Sequence, residues 1–146
     1  MKYRFIVFIL VLMPFAAYAQ KDLNCWGIFH GDVVPREQMV RTEVRGGEIR
    51  KYMLDHYLGL SFRADDGMLA EVSELLEADS SAALSSEIEH VGPVLTYALL
   101  QMQEKNGRNR FVCYQASRDG DHWRVILLYL EGPASLEDLK SMFEKQ

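Results

Sequence analysis

The chain has 146 residues, with 16 basic and 21 acidic side chains, a formal net charge of −5 and 49% hydrophobic residues. That is the size of one ordinary domain with enough apolar material for a core. An acidic chain gains little from counterion release, so nucleic acid is not an expected partner, and no basic amphipathic helix points to an anionic membrane surface.

Lys2 and Arg4 precede an apolar run from Phe5 to Phe15 that is broken only by Pro14. Ala17-Tyr18-Ala19 then puts small residues three before and one before a cut after Ala19. This is the order of a secretory signal peptide, and the run is too short to span a bilayer. The bland alternative, a buried N-terminal helix, has no polar face to recommend it. Cutting after Ala19 leaves residues 20–146, with 14 basic against 21 acidic side chains and a charge of −7. No second long apolar run follows, so no membrane insertion is expected after cleavage. Asp22-Leu23-Asn24 stands before Cys25 where a lipoprotein signal would place small apolar residues, which argues against a lipid anchor. The expected location is periplasmic or extracellular.

Residues 20–38 read as an arm, and residues 39–146 as a single domain. Leu23, Trp26, Ile28 and Phe29 are too apolar for a free linker, so part of the arm should dock on the core. Val40, Thr42 and Val44 alternate with Arg41, Glu43 and Arg45, the pattern of a half-exposed strand stopped by Gly46-Gly47. A short helix is expected over 48–56 and a strand over 57–64. Asp65 or Asp66 caps the next helix, whose stripe is Met68, Leu69, Val72, Leu75 and Leu76. Residues 79–90 read as a loop with at most one helical turn.

The last third is the most explicit. Strands are expected over 94–103, 110–117 and 122–131, joined by turns at Asn106-Gly107 and Asp119-Gly120. Gly132-Pro133 ends the last strand, and Ser135-Leu136-Glu137-Asp138 resembles a capping box opening a final helix. The expected fold class is α+β, in the order β-α-β-α-β-β-β-α. Its mainly antiparallel sheet of about five strands ends in a C-terminal β-meander, with helices packed on the sheet.

Two-residue turns predict the pairing. Leu100, Met102, Phe111, Cys113, Ile126 and Leu128 should share a core face. Tyr97, Leu99, Val112, Tyr114, Trp123, Val125, Leu127 and Tyr129 should share the other, edged by Gln101 and Arg110. A bulge in either hairpin would swap faces. The second face is too apolar for a solvated sheet. Cover by another helix or the arm, a homo-oligomer or partner interface, and a small apolar or sugar-like ligand are the three explanations. The candidate binding residues are therefore Tyr97, Arg110, Tyr114, Trp123 and Tyr129.

Cys25 and Cys113 in an exported chain predict one disulfide. The four histidines fall in no metal-ligand spacing, and no nucleophile elbow or phosphate-cradling loop is present, so no metal, cofactor or catalytic residue is expected. The competing reading is a small hydrolase using His122 with Asp119 or Asp121, although turn chemistry accounts for both aspartates. The preferred function is a non-enzymatic binding or assembly domain, with an unidentified protein partner, a second copy or a small ligand as its counterpart.

The leader, the Phe-Val-Cys-Tyr-Gln strand at 111–115, Leu130-Glu131-Gly132 and Ser135-Leu136-Glu137-Asp138-Leu139 resemble small exported proteins of unknown function from Bacteroidetes. The resemblance covers the C-terminal third, and residues 39–64 loosely. It implies a periplasmic or surface-exposed α+β domain and carries over no functional residue.

Overall fold

A computed structural model describes residues 23–144; the predicted signal peptide and the first residues of the arm lie outside that range. Six strands form one antiparallel sheet: β1 (Met39–Arg45), β2 (His56–Ala64), β3 (Ser85–Val91), β4 (Val94–Lys105), β5 (Arg108–Asp119) and β6 (His122–Gly132). Their spatial order is β1-β2-β6-β5-β4-β3, so the last strand of the chain is inserted between β2 and β5. The helices are α1 (Trp26–Phe29) in the arm, α2 (Asp66–Ala82) and the C-terminal α3 (Leu136–Glu144). The α+β class and the antiparallel meander follow the expectation.

Local chemistry explains most boundaries. The Asp65 carboxylate accepts from the Met68 N–H at 2.8 Å and opens α2. Ser135 and Asp138 cap α3 reciprocally: the Asp138 N–H donates to Ser135 Oγ at 3.1 Å, and the Ser135 N–H donates to Asp138 Oδ2 at 2.9 Å. Two segments differ from the sequence reading. The helix expected over 48–56 is a 3-10 turn, Gly47–Tyr52, ended by Met53 at φ 59°. The stretch read as a loop over 79–90 holds the end of α2 and all of β3 except Val91. β3 is an edge strand with Ile88 as its only inward aliphatic residue before Val91, and charged edges of this kind hide from hydrophobic patterning.

The register departs from two-residue arithmetic in an instructive way. Lys105 does pair with Arg108, but a bulge between Met102 and Lys105 shifts the rest, so Leu99 faces Cys113 and Gln101 faces Phe111. β4 is thereby turned over relative to β5. The second turn slips by two residues, with Asp119 opposite His122, and a slip of two keeps each side chain on its own face.

One face of the sheet carries the main core. Leu58, Leu60, Phe62, Leu100, Val112, Tyr114, Val125, Leu127 and Tyr129 pack there beneath α2 and the arm, which contribute Leu69, Val72, Leu76, Cys25, Ile28 and Phe29. The face expected to be the core is thus the less covered one. It carries Leu99, Phe111 and Leu130, closed by Leu54, Ala134 and Leu139 at one end.

The predicted disulfide is absent, and both cysteines are free thiols. Cys25 is sealed between the arm and the main core, while Cys113 points to the opposite face, so the sheet itself separates them. The arm docks on the side away from Cys113. Two free thiols should therefore be counted on the unreduced, unfolded protein, and the native fold should protect the buried Cys25 from a thiol reagent more completely than the half-buried Cys113. Burial pushes the Cys113 thiol up to about 12. Burial, with the Asp79 carboxylate beside it, pushes Cys25 up as well.

Candidate functional site

The five residues singled out from sequence do not form one surface. Tyr114 and Tyr129 are buried in the main core, and Arg110 is only 3% exposed. Trp123 lies at the far end of the same layer, where its Nε1–H donates to Asp66 Oδ1 at 2.9 Å and the Arg118 guanidinium sits 5.1 Å over its ring. The bulge has carried Tyr97 to the other face.

Arg110 and Tyr129 are brought together. Arg110 Nε–H donates to the Tyr129 hydroxyl at 2.9 Å, and that hydroxyl donates to Glu131 Oε2 at 2.7 Å. Burial, aided by the Glu131 bond, raises the Tyr129 hydroxyl, while Arg110 opposes that shift. The Trp26 ring lies 4.8 Å from Tyr129 and stacks on His30, and His56 Nε2 is 2.7 Å from Glu43. The Trp26–Tyr129 contact latches the arm to the sheet end, while the His56–Glu43 bond joins β2 to β1. The His56 bond is the leading cause that holds the Glu43 carboxyl below its usual range.

The hydrolase candidates sit at the β5–β6 tip. His122 Nδ1 is 2.8 Å from Asp121 Oδ1, with the His122 side chain 42% and the Asp121 side chain 90% exposed. Asp119 faces Arg63 and Arg124 instead. None of these three acids and bases lines a described cavity. Among the described residues, no group of three histidine, cysteine or acidic side chains is placed to hold a metal, and no helix is long and apolar enough to cross a membrane.

The less covered sheet face is the better site. Between the 3-10 turn and α3 runs a cavity of about 510 Å³ over Leu128 and Leu130, walled by Ile49, Tyr52, Leu139 and Phe143. On the far side of Phe143 a second cavity, about 380 Å³, lies over Ile126, Cys113 and Tyr97, and a shallower one of about 150 Å³ crosses Gly59, Ser61 and Thr42. All three share Leu128, and together they make one trough along β6. No charged side chain lines any of them. Gly59 helps to shape the floor: a Cβ there would stand 2.9 Å from the Tyr57 hydroxyl and 3.2 Å from Leu128 Cδ2. Its absence leaves room for those side chains to lie along the strand.

A family of unknown function, DUF6108, matches residues 12–143. The chain belongs to this family. No curated protein and no solved structure matches it. The family assignment therefore agrees with the sequence resemblance on one point, membership of an uncharacterised group, and the site has to be read from its own chemistry.

Sequence reasoning missed Ile126 and Gly59 as lining residues of the trough. The signal was there in Tyr57-x-Gly59-x-Ser61-x-Arg63, a strand side without large aliphatics next to Leu58, Leu60 and Phe62. Read with period two, that side is lined for something other than a close-packed core.

Proposed function

We propose that the chain is an exported, non-enzymatic binding domain that holds an apolar ligand in the trough along Leu128 and Ile126. The observation that carries this is the lining: three adjoining cavities without a charged group, in a chain that is 25% charged. A typical ligand site is concave, mainly apolar and given direction by a few polar groups; here Thr42, Ser61, Gln115 and Tyr57 fill that role. Binding is favoured over covalent chemistry because the one thiol in the lining, Cys113, is held protonated at neutral pH and is a poor nucleophile.

The test uses protein recovered outside the cytoplasm, whose first residue is expected to be Gln20. Nile red, an uncharged fluorophore, should bind with enhanced, blue-shifted emission. Ile126→Asp should weaken that binding about tenfold or more. Ile126 is 41% exposed, so the same change should alter stability by less than about 1 kcal/mol. Nile red that ignores the trough, or binds the variant equally well, would remove this reading.

A further inference from the structure

We propose that the trough takes a single-chain anionic amphiphile, a free long-chain carboxylate, with its head between Arg63 and Arg124. This rests on the binding reading above and adds the class of ligand to it. The motive is a gradient along two neighbouring strands. On the trough side, β6 runs from Leu130, 2% exposed, through half-buried Leu128 to Ile126, 41% exposed, and then to Arg124. β2 runs beside it through Tyr57, Gly59 and Ser61 to Arg63. The closed end lies under α3 and the open end is cationic. From Leu130 to Arg124 the strand covers about 20 Å, the reach of an extended long-chain acyl group.

The two arginines are the second, independent observation. Arg63 and Arg124 stand directly opposite each other in the β2–β6 ladder. Like charges in that position are unfavourable. Asp119 Oδ2 lies 3.7 Å from Arg63 Nε and 3.8 Å from an Arg124 nitrogen, and the two arginine side chains are 60% and 62% exposed. A formed guanidinium–carboxylate bond is shorter, about 2.7–2.9 Å. One loosely held carboxylate is thus shared by two forks, each able to grip a carboxylate through paired N–H donors. Asp121, the other acid at this tip, is bonded to His122. A ligand carboxylate arriving from the trough would reach the arginine pair and relieve their repulsion, while its chain lies along Ile126 and Leu128. An elongated trough parallel to a strand suits one extended chain better than a bilayer surface, into which chains point side by side.

The experiment displaces Nile red from the purified protein with palmitate and, separately, with hexadecanol, each below its aggregation concentration. Palmitate should displace the dye at a concentration at least tenfold lower than the alcohol. Arg63→Gln with Arg124→Gln should remove that advantage and leave the alcohol unchanged, and the doubly substituted protein should melt no lower than the wild type. Equal displacement by the two competitors, or a palmitate advantage that survives the double substitution, would overturn the carboxylate site and leave the trough as an apolar site. Displacement by neither, with the dye still bound, would overturn the amphiphile proposal alone. Co-sedimentation with anionic phosphatidylglycerol vesicles, without displacement by monomeric palmitate, would overturn it in favour of a bilayer. Failure of the dye to bind at all would remove the binding reading beneath it.

Discussion

Gly132→Ala is expected to destabilise the protein by about 3 kcal/mol or more, the upper end of what overpacking costs. A Cβ at this position would stand 2.7 Å from Leu54 Cα, 2.7 Å from the Met53 carbonyl oxygen and 2.9 Å from Asp55 N. All three are backbone atoms, so no rotamer change can move them aside. They are also held in place: Asp55 N–H donates to Glu131 O at 2.8 Å, and Ala134 N–H donates to Met53 O at 2.9 Å. Relieving the clash means breaking this junction, which closes the deep end of the trough through Leu54 and Ala134. Urea unfolding of the variant gives the measurement. Gly47→Ala serves as the control, because nothing lies within 4 Å of its added Cβ; it should change stability by less than about 0.5 kcal/mol.

Asp79→Ala is the second large effect. Asp79 is 1% exposed near the end of α2, and its carboxylate accepts from Asn24 N–H at 2.7 Å, Asn24 Nδ2–H at 3.1 Å and Cys25 N–H at 2.9 Å. Removing it leaves two backbone donors without these acceptors, at about 1–3 kcal/mol each when buried, so a loss of about 3 kcal/mol is expected. The damage should be directional. Asp79 ties the arm to the helix, so the variant should expose Cys25 to a thiol reagent and admit protease between Asn24 and Gln38 before the sheet unfolds. Uniform loss of stability, with Cys25 still protected until global unfolding, would show that the arm does not depend on this carboxylate.

The parts of the fold legible in the sequence were those set by local chemistry. Asn106-Gly107 forms the first turn, with both residues at positive φ, and Asp65 and Ser135 cap their helices where expected. What escaped was whatever depends on counting across a hairpin. Gln103 and Glu104, between the paired Met102 and Lys105, give no local sign that the ladder bulges there. β4 cannot reveal the slip either, because Leu99 and Leu100 are both apolar and each face accepts one of them. The same indifference moved Tyr97 away from Tyr114 and took the candidate site with it. The cysteine pairing failed for a related reason. Composition shows that two thiols exist in one chain, but only the docking side of the arm decides whether they meet. Asp79 was invisible because a buried acid among Ser80 and Ser81 reads as a loop residue until its donors, 54 and 55 residues earlier, are in place.

The strand order has a consequence for when this protein can fold. β1 and β2 touch the rest of the sheet only through β6, so the edge formed by the first two strands stays open until the last strand has arrived. The β2–β6 ladder joins residues such as Leu58 and Tyr129, a long-range closure of the kind that is slow and entropically costly. A chain threaded N-terminus first through a narrow channel would therefore carry β1 through as an unsheltered hairpin with β2. It could not lock into its final shape on the near side while its C-terminal strands were still being made. Under the export proposed above, late closure keeps the chain threadable, and folding completes once β6 has crossed.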